Sequence, residues 1–189
     1  MSNFGIRVLY GILNAIEDVA CERAFHPAVD AEELLRSRSL PLFSLESQKP
    51  LKDFDIIGFS LGYELSYTNI LNILDLAGIP LYSSQRDHRH PLVIAGGSCV
   101  LNPEPIAEFI DLFVIGEGEE VIAGLVDVAR GKRRPEDIPN IYFMQDGKPV
   151  RTQRVVTDLA KLNVPASDET LRIFHQAGSV DVESSRGCK

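Results

Sequence analysis

The sequence contains no tryptophan, only two methionines and only three cysteines in 189 residues. The cysteines, Cys21, Cys99 and Cys188, are odd in number and widely spaced, which argues against a secreted disulfide framework and favours a reducing, cytoplasmic compartment. No apolar run reaches the roughly 18 residues that cross a bilayer, and the first residues lack the basic start of a signal peptide. Basic residues are also the minority, because 19 Lys and Arg against 27 Asp and Glu give a net charge of −8. Such a chain repels phosphate, so we expect neither direct nucleic-acid binding nor binding to an anionic membrane.

Three short apolar runs dominate the middle of the chain, at residues 55–60, 91–97 and 111–116, and each ends in Ser or Gly. Runs that are apolar on both faces are typical of parallel strands covered by helices. Helical periodicity follows the first run at 65–77 and the third at 121–129. The alternation predicts an α/β fold with a doubly wound, mostly parallel, Rossmann-like sheet of the flavodoxin type.

Further elements flank this core. An apolar stripe over residues 6–16 predicts an opening helix, and residues 30–38 predict a second one. A mixed apolar run at 20–25 predicts a strand between these helices. Residues 141–151 predict a β-hairpin with an Asp-Gly turn.

The order of elements suggests a domain division. Residues 1–134 form the Rossmann-like domain, residues 135–178 a hairpin and linker, and residues 179–189 the start of a further domain. A doubly wound domain begins with a strand, whereas this chain opens in a helix. We therefore expect the first strand of the sheet to be missing and the chain to be a fragment.

The candidate ligand-binding residues lie where the predicted parallel strands end. Ligands of open α/β sheets bind beyond the carboxyl ends of the strands, and glycine lets a backbone approach a ligand closely. Turns from strand to helix also use glycine for purely structural reasons, so both interpretations stay open at each loop. The candidate residues are Ser60, Leu61, Glu64, Gly96, Gly97, Gly116, Glu117 and Gly118.

Other sites are disfavoured by the same segments. The glycine pattern after the third strand resembles a dinucleotide fingerprint, but Glu117, Glu119 and Glu120 would repel a pyrophosphate there. None of the three strands ends in the aspartate that a response-regulator receiver needs. The pair His88 and His90 has metal-ligand spacing, yet its charged neighbours favour a solvated loop.

Several segments together form a specific pattern that none of them forms alone. They are residues 41–47, 58–61, 63–69, 95–97, 102–105 and 116–120. In these segments the chain resembles the amino-terminal part of radical S-adenosylmethionine proteins that carry a cobalamin-binding domain. The resemblance extends to Cys188, which is similar to the first cysteine of the C-x3-C-x2-C triplet that opens the radical S-adenosylmethionine barrel.

The resemblance implies a function in two parts. The candidate residues would bind cobalamin, and Cys188 would be the first ligand of a 4Fe-4S cluster that works with S-adenosylmethionine in the full-length parent. The partner of this domain would be the barrel of the same parent chain, and the fragment alone would be inactive. The Asp-x-His-x-x-Gly signature of better-known cobalamin domains is absent, so cobalamin would bind without a histidine ligand. The alternative is a non-catalytic α/β docking or substrate-recruiting module that binds no cofactor.

Overall fold

A computed structural model describes residues 4–156 of the chain. A strand-helix-strand order occurs twice in this part, after the first and third apolar runs, where the sequence predicts helices. The helices are α1 (Phe4–Asn14), α2 (Val29–Ser37), α3 (Tyr67–Ala77) and α4 (Ile122–Ala129), and the strands are β1 (Ile56–Ser60), β2 (Leu92–Gly96), β3 (Leu112–Val114), β4 (Ile141–Gln145) and β5 (Lys148–Arg151). No helix among these is long and apolar enough to cross a membrane.

The five strands form one open sheet in the order β1-β2-β3-β4-β5. Strands β1, β2 and β3 are parallel, with Ile57 opposite Val93 and Ala95 opposite Phe113. The predicted hairpin joins the same sheet, because β4 pairs antiparallel with β3 and then with β5. The predicted α/β class with parallel central strands is therefore confirmed, and β1 lies at one edge of the described sheet.

Helices cover both faces of the sheet. On one face, Ile57, Val93 and Phe113 pack in a core with side chains of α2 and α3. On the other face, Ile94 and Val114 pack with side chains of α4. Helix α1 contacts α4 and helix α2 contacts α3, so each face carries one pair of helices. This arrangement is the doubly wound one that the alternating sequence predicts.

The predicted strand at residues 20–25 is wrong. The segment is not part of any strand, because its backbone groups find partners outside a sheet. The Asn14 side chain accepts a hydrogen bond from the Cys21 amide and donates one to its carbonyl. The carboxylate of Glu46 accepts from the Arg23 amide, and the Arg23 carbonyl accepts from Leu45. A strand needs a neighbouring strand, and the described sheet offers none here.

A buried ion pair between Arg86 and Asp111 stabilises the loop that leads into β2. The Arg86 guanidinium contacts the Asp111 carboxylate at 2.8 Å, and the Arg86 side chain is 3% exposed. Arg86 also donates to the carbonyls of Pro80, Leu81 and Phe109. The other Asp111 oxygen accepts from the Val93 amide at 2.7 Å. This network joins the chain after α3 to the starts of β2 and β3.

Candidate functional site

The parallel strands β1, β2 and β3 end at one edge of the sheet, and the loops after β1 and β2 are hydrogen-bonded to each other there. The Leu61 amide donates to the Gly96 carbonyl at 2.7 Å, and the Leu61 carbonyl accepts from the Cys99 amide at 3.0 Å. The Ser98 hydroxyl lies 3.5 Å from the Gly62 carbonyl oxygen. The two loops therefore form one rigid unit at the carboxyl end of the strands.

Gly97 is the residue that makes this close approach possible. Its φ of 110° and ψ of −179° fall in a region that is essentially restricted to glycine. A Cβ atom at this position would lie 2.5 Å from the Leu61 carbonyl oxygen and 2.9 Å from the Leu61 carbonyl carbon. Backbone packing between the loops thus requires a glycine at this position. This is a structural reason for the glycine, one of the two interpretations that the sequence left open.

The loop after β3 uses its glycines differently. Gly116 has a φ of 114°, but no atom lies within 4 Å of where its Cβ would stand. The Gly118 carbonyl accepts hydrogen bonds from the Val121 and Ile122 amides and so starts α4. A Cβ on Gly118 would lie 3.4 Å from Leu9 of α1. Only Gly116 therefore leaves open backbone surface on this loop.

The structure divides the predicted site residues into exposed and buried ones. Leu61 is buried in the core beneath α3, and both of its backbone groups form hydrogen bonds between the loops. Gly96, Glu117 and Gly118 are partly buried. The exposed residues are Ser60, Glu64, Gly97 and Gly116. Of the predicted site residues, the edge thus presents one hydroxyl, one carboxylate and the backbone of two glycines to solvent.

Large exposed apolar side chains at the same edge were missed by the sequence analysis. Tyr63 and Leu65 follow β1 and are 60% and 72% exposed, and Leu101 follows β2 and is 70% exposed. Leu65 lies within the predicted helical stripe, although the helix begins only at Tyr67. The sequence feature that could have identified these residues is their position shortly after the ends of two predicted strands. Exposed apolar side chains that form a contiguous patch are typical of an interaction surface.

One cysteine and one tyrosine beside this surface favour their neutral forms. Burial raises the pKa of the Cys99 thiol, and the nearby Glu64 carboxylate raises it further. Burial also raises the pKa of the Tyr67 hydroxyl, with smaller contributions from Cys99 and Glu64. Neither group is prepared for nucleophilic attack, because a thiolate or phenolate next to Glu64 would be disfavoured.

Cys21 is also expected to be unreactive. Burial raises its pKa from 9.0 to about 11, with further contributions from Glu46 and Glu22. This shift lowers the thiolate fraction at pH 8 about a hundredfold. We expect iodoacetamide at pH 8 to alkylate Cys21 and Cys99 far more slowly in the native chain than in guanidinium chloride, as measured by peptide mass spectrometry. Equal rates in the two conditions would contradict the assignment of both residues as core or turn thiols.

The remaining sequence predictions on metal ligands concern His88, His90 and Cys188. His88 is exposed, and His90 bonds to Asp87, as expected for a solvated loop. Within residues 4–156, no group of three or more His, Cys, Asp or Glu is arranged to hold a metal ion. Cys188, the linker after residue 156 and the start of the further domain lie outside the described residues.

Comparison with known proteins gives both a family and a relative. The family described as "Radical SAM proteins, N-terminal" matches residues 5–142. The uncharacterized protein MJ0966 of Methanocaldococcus jannaschii is 28% identical over 173 residues. The match covers 87% of this chain and 35% of the relative, so the chain spans about a third of that protein's length.

Solved structures of two enzymes share the fold. One is the cobalamin-dependent S-adenosylmethionine radical enzyme OxsB with aqua-cobalamin and S-adenosylmethionine bound, with a TM-score of 0.57 and 17% identity over 87% of this chain and 21% of that chain. The other is the radical S-adenosylmethionine methyltransferase TsrM from Kitasatospora setae with cobalamin and a [4Fe-4S] cluster bound, with a TM-score of 0.53 and 16% identity over 90% of this chain and 29% of that chain.

Proposed function

Because the chain belongs to the family of radical SAM proteins defined by their amino-terminal domain, we propose that it is the cobalamin-binding domain of a radical S-adenosylmethionine enzyme. The observation that carries the proposal is the carboxyl edge of the parallel sheet, where interlocked loops expose backbone and small side chains. Ligands of open α/β sheets bind at this edge. The fold shared with OxsB and TsrM, both solved with cobalamin bound, supports the same assignment.

The chemistry of the edge suits a large, flat macrocycle with amide side chains. The open backbone at Gly116 allows a planar ring to approach closely. The exposed side chains of Tyr63, Leu65 and Leu101 offer apolar contact to such a ring. The acidic loop after β3 disfavours a phosphate ligand but accepts hydrogen bonds from amides.

Cobalamin would be held here by the residues at the carboxyl ends of β1, β2 and β3, without a histidine among them. The last residue of β1, Ser60, and the loop that follows it, with Gly62 and Glu64, provide no imidazole. His88 and His90 precede β2 and so lie toward the opposite, amino-terminal edge of the parallel strands. The His26 ring bonds to the Asn72 amide in α3, away from the strand ends.

The chemistry of the whole enzyme would need residues beyond the described ones. The radical S-adenosylmethionine barrel following this domain would be its partner, and Cys188 would supply one thiolate to a 4Fe-4S cluster. That cluster and S-adenosylmethionine would generate the radical, with methyl transfer through cobalamin as the candidate reaction. Such a protein would work in the cytoplasm, where thiolate ligands stay reduced.

The proposal predicts that cobalamin binds at the apolar edge. We expect the folded chain to retain cobalamin in equilibrium dialysis and Leu65→Asp or Leu101→Asp to weaken retention about tenfold or more, since a buried leucine contributes about 1.5–3 kcal/mol. The matched control is Leu34→Asp, a half-exposed leucine on α2 remote from the strand ends. A chain that is folded by circular dichroism yet retains no cobalamin at high micromolar concentration would contradict the proposal.

A docking or substrate-recruiting module without a cofactor is the second candidate. The exposed Tyr63, Leu65 and Leu101 favour it as well, because such side chains also mark protein interfaces. The two functions differ in one outcome of the dialysis experiment. If the folded chain retains no cobalamin and the leucine variants instead weaken binding to the purified barrel domain, the docking function replaces the cobalamin one.

A further inference from the structure

Asn140, directly before β4, joins the loop after β3 to the segment that follows β5. Its backbone carbonyl accepts a hydrogen bond from the Ile115 amide at 2.7 Å, and its backbone amide donates to the Gln153 carbonyl at 2.9 Å. Its side chain contacts both backbone groups of Val155, because Nδ2 donates to the Val155 carbonyl at 2.9 Å and Oδ1 accepts from the Val155 amide at 2.8 Å. Asn140 is only 6% exposed, so these hydrogen bonds are shielded from water.

The side chain of Asn140 extends the ladder between β4 and β5. The register that places Tyr142 opposite Arg151 continues one step further, where the Thr152 amide donates to the Ile141 carbonyl. The backbone before β4 then turns away from this ladder, because Asn140 has a φ of 62°. A side-chain amide offers a donor and an acceptor as a peptide group does, so it serves as the next partner in the ladder.

Asparagine suits this position for two reasons. It is one of the few residues besides glycine that adopt the left-handed conformation readily. It also carries both the donor and the acceptor that the backbone of Val155 requires. An ionised aspartate offers acceptors alone, and glycine offers neither group.

These hydrogen bonds determine where the segment after β5 lies. We call residues 153–156 the exit segment. Val155 and Val156 are 42% and 82% exposed, so burial of their side chains contributes little to holding the exit segment in place. The bonds from Asn140 hold it beside Ile115, the residue before Gly116 in the loop after β3. The exit segment therefore lies at the carboxyl edge of the sheet, next to the candidate site.

We propose that Asn140 is a positioning residue that fixes where the chain leaves the sheet, at the carboxyl edge beside the loop after β3. Whatever follows Val156 in the chain therefore starts next to the candidate site. Loss of the side-chain bonds releases the exit segment, while the backbone bond from Ile115 to Asn140 remains. The inference rests on these contacts and does not depend on which ligand the site binds.

Trypsin cleavage of the bond between Arg154 and Val155 tests the proposal in the full 189-residue chain. The rate of cleavage reports the population of the open form of the exit segment. We expect Asn140→Gly to raise this rate at least about tenfold, because two hydrogen bonds are lost while glycine keeps the backbone conformation. Cleavage after Lys132, in the exposed loop after α4, should keep its wild-type rate. Mass spectrometry of the fragments measures both rates.

Asp146→Gly is the matched control. It also replaces a residue of positive φ by glycine, in the turn at the far end of the same hairpin, so cleavage after Arg154 should stay at the wild-type rate. Three results would overturn the proposal: equal acceleration by both variants, no acceleration by Asn140→Gly, or an equal acceleration after Lys132, which would indicate general destabilisation.

Amide hydrogen exchange separates positioning from a general role in stability. In Asn140→Gly, the Val155 amide should exchange at least about tenfold faster, because its acceptor is gone. The Ile115 amide should stay protected, because its acceptor is the backbone carbonyl of residue 140. Asn140→Asp should restore part of the protection of Val155, because a carboxylate still accepts from its amide. Loss of protection at both amides in Asn140→Gly, or no rescue by aspartate, would overturn the proposal.

Discussion

Replacing Gly97 by alanine is expected to destabilise the chain by about 2–6 kcal/mol, the largest effect of any single-methyl change at the candidate site. Backbone strain at this φ and ψ costs about 1–3 kcal/mol for a residue other than glycine, and overpacking adds about 1–3 kcal/mol. The new Cβ would lie 2.5 Å from the Leu61 carbonyl oxygen, and a backbone atom cannot move aside as a flexible side chain can. Urea denaturation measures the loss of free energy of unfolding.

Gly116→Ala is the matched control for this prediction. Gly116 has a similar φ of 114°, but its Cβ position is open. An alanine at this position would therefore strain the backbone without a steric clash. We expect Gly97→Ala to be more destabilising by about 1–3 kcal/mol. It should also weaken any ligand binding, because the loops after β1 and β2 must separate to admit the methyl group. Equal losses in the two variants would show that the contact between these loops is not tight.

Replacing Arg86 by methionine is expected to cost about 3–5 kcal/mol, the usual effect of removing one partner of a buried ion pair. Asp111 would keep its bond from the Val93 amide but lose its cation. The carbonyls of Pro80, Leu81 and Phe109 would lose their common donor. Because total stabilities are only about 5–15 kcal/mol, thermal and urea unfolding should both reveal the change clearly.

Arg89→Met provides the matched control. Arg89 pairs with Asp87 at 2.7 Å, only three residues from Arg86 in sequence, but its side chain is 74% exposed. Exposed ion pairs contribute about 0–1 kcal/mol, so this variant should unfold almost as the wild type does. If the two arginine variants unfold alike, the network around Arg86 does not stabilise the connection into β2.

Much of the fold follows from local sequence. The apolar runs that become β2 and β3 are almost entirely buried, and runs that are apolar on both faces are typical of parallel strands covered by helices. Gly78 ends α3 in the left-handed conformation, with a φ of 69°. The Asp146-Gly147 turn has φ values of 51° and 72°, which the predicted hairpin requires. Each of these features depends on a few neighbouring residues, so a sequence pattern is enough to predict it.

Other features depend on which distant segments meet. Residues 20–25 have the composition of a strand, yet they pair with side chains of Asn14 and Glu46, because a strand forms only where another strand can accept its hydrogen bonds. The side chain of Leu61, one of the predicted site residues, lies in the core, while its backbone joins the loops after β1 and β2. The sequence by itself determined which residues can be buried and where the chain can turn. Only the tertiary structure decided the backbone partners, since partners such as Glu46 for Arg23 and Gly96 for Leu61 lie more than twenty residues away and local periodicity carries no record of them.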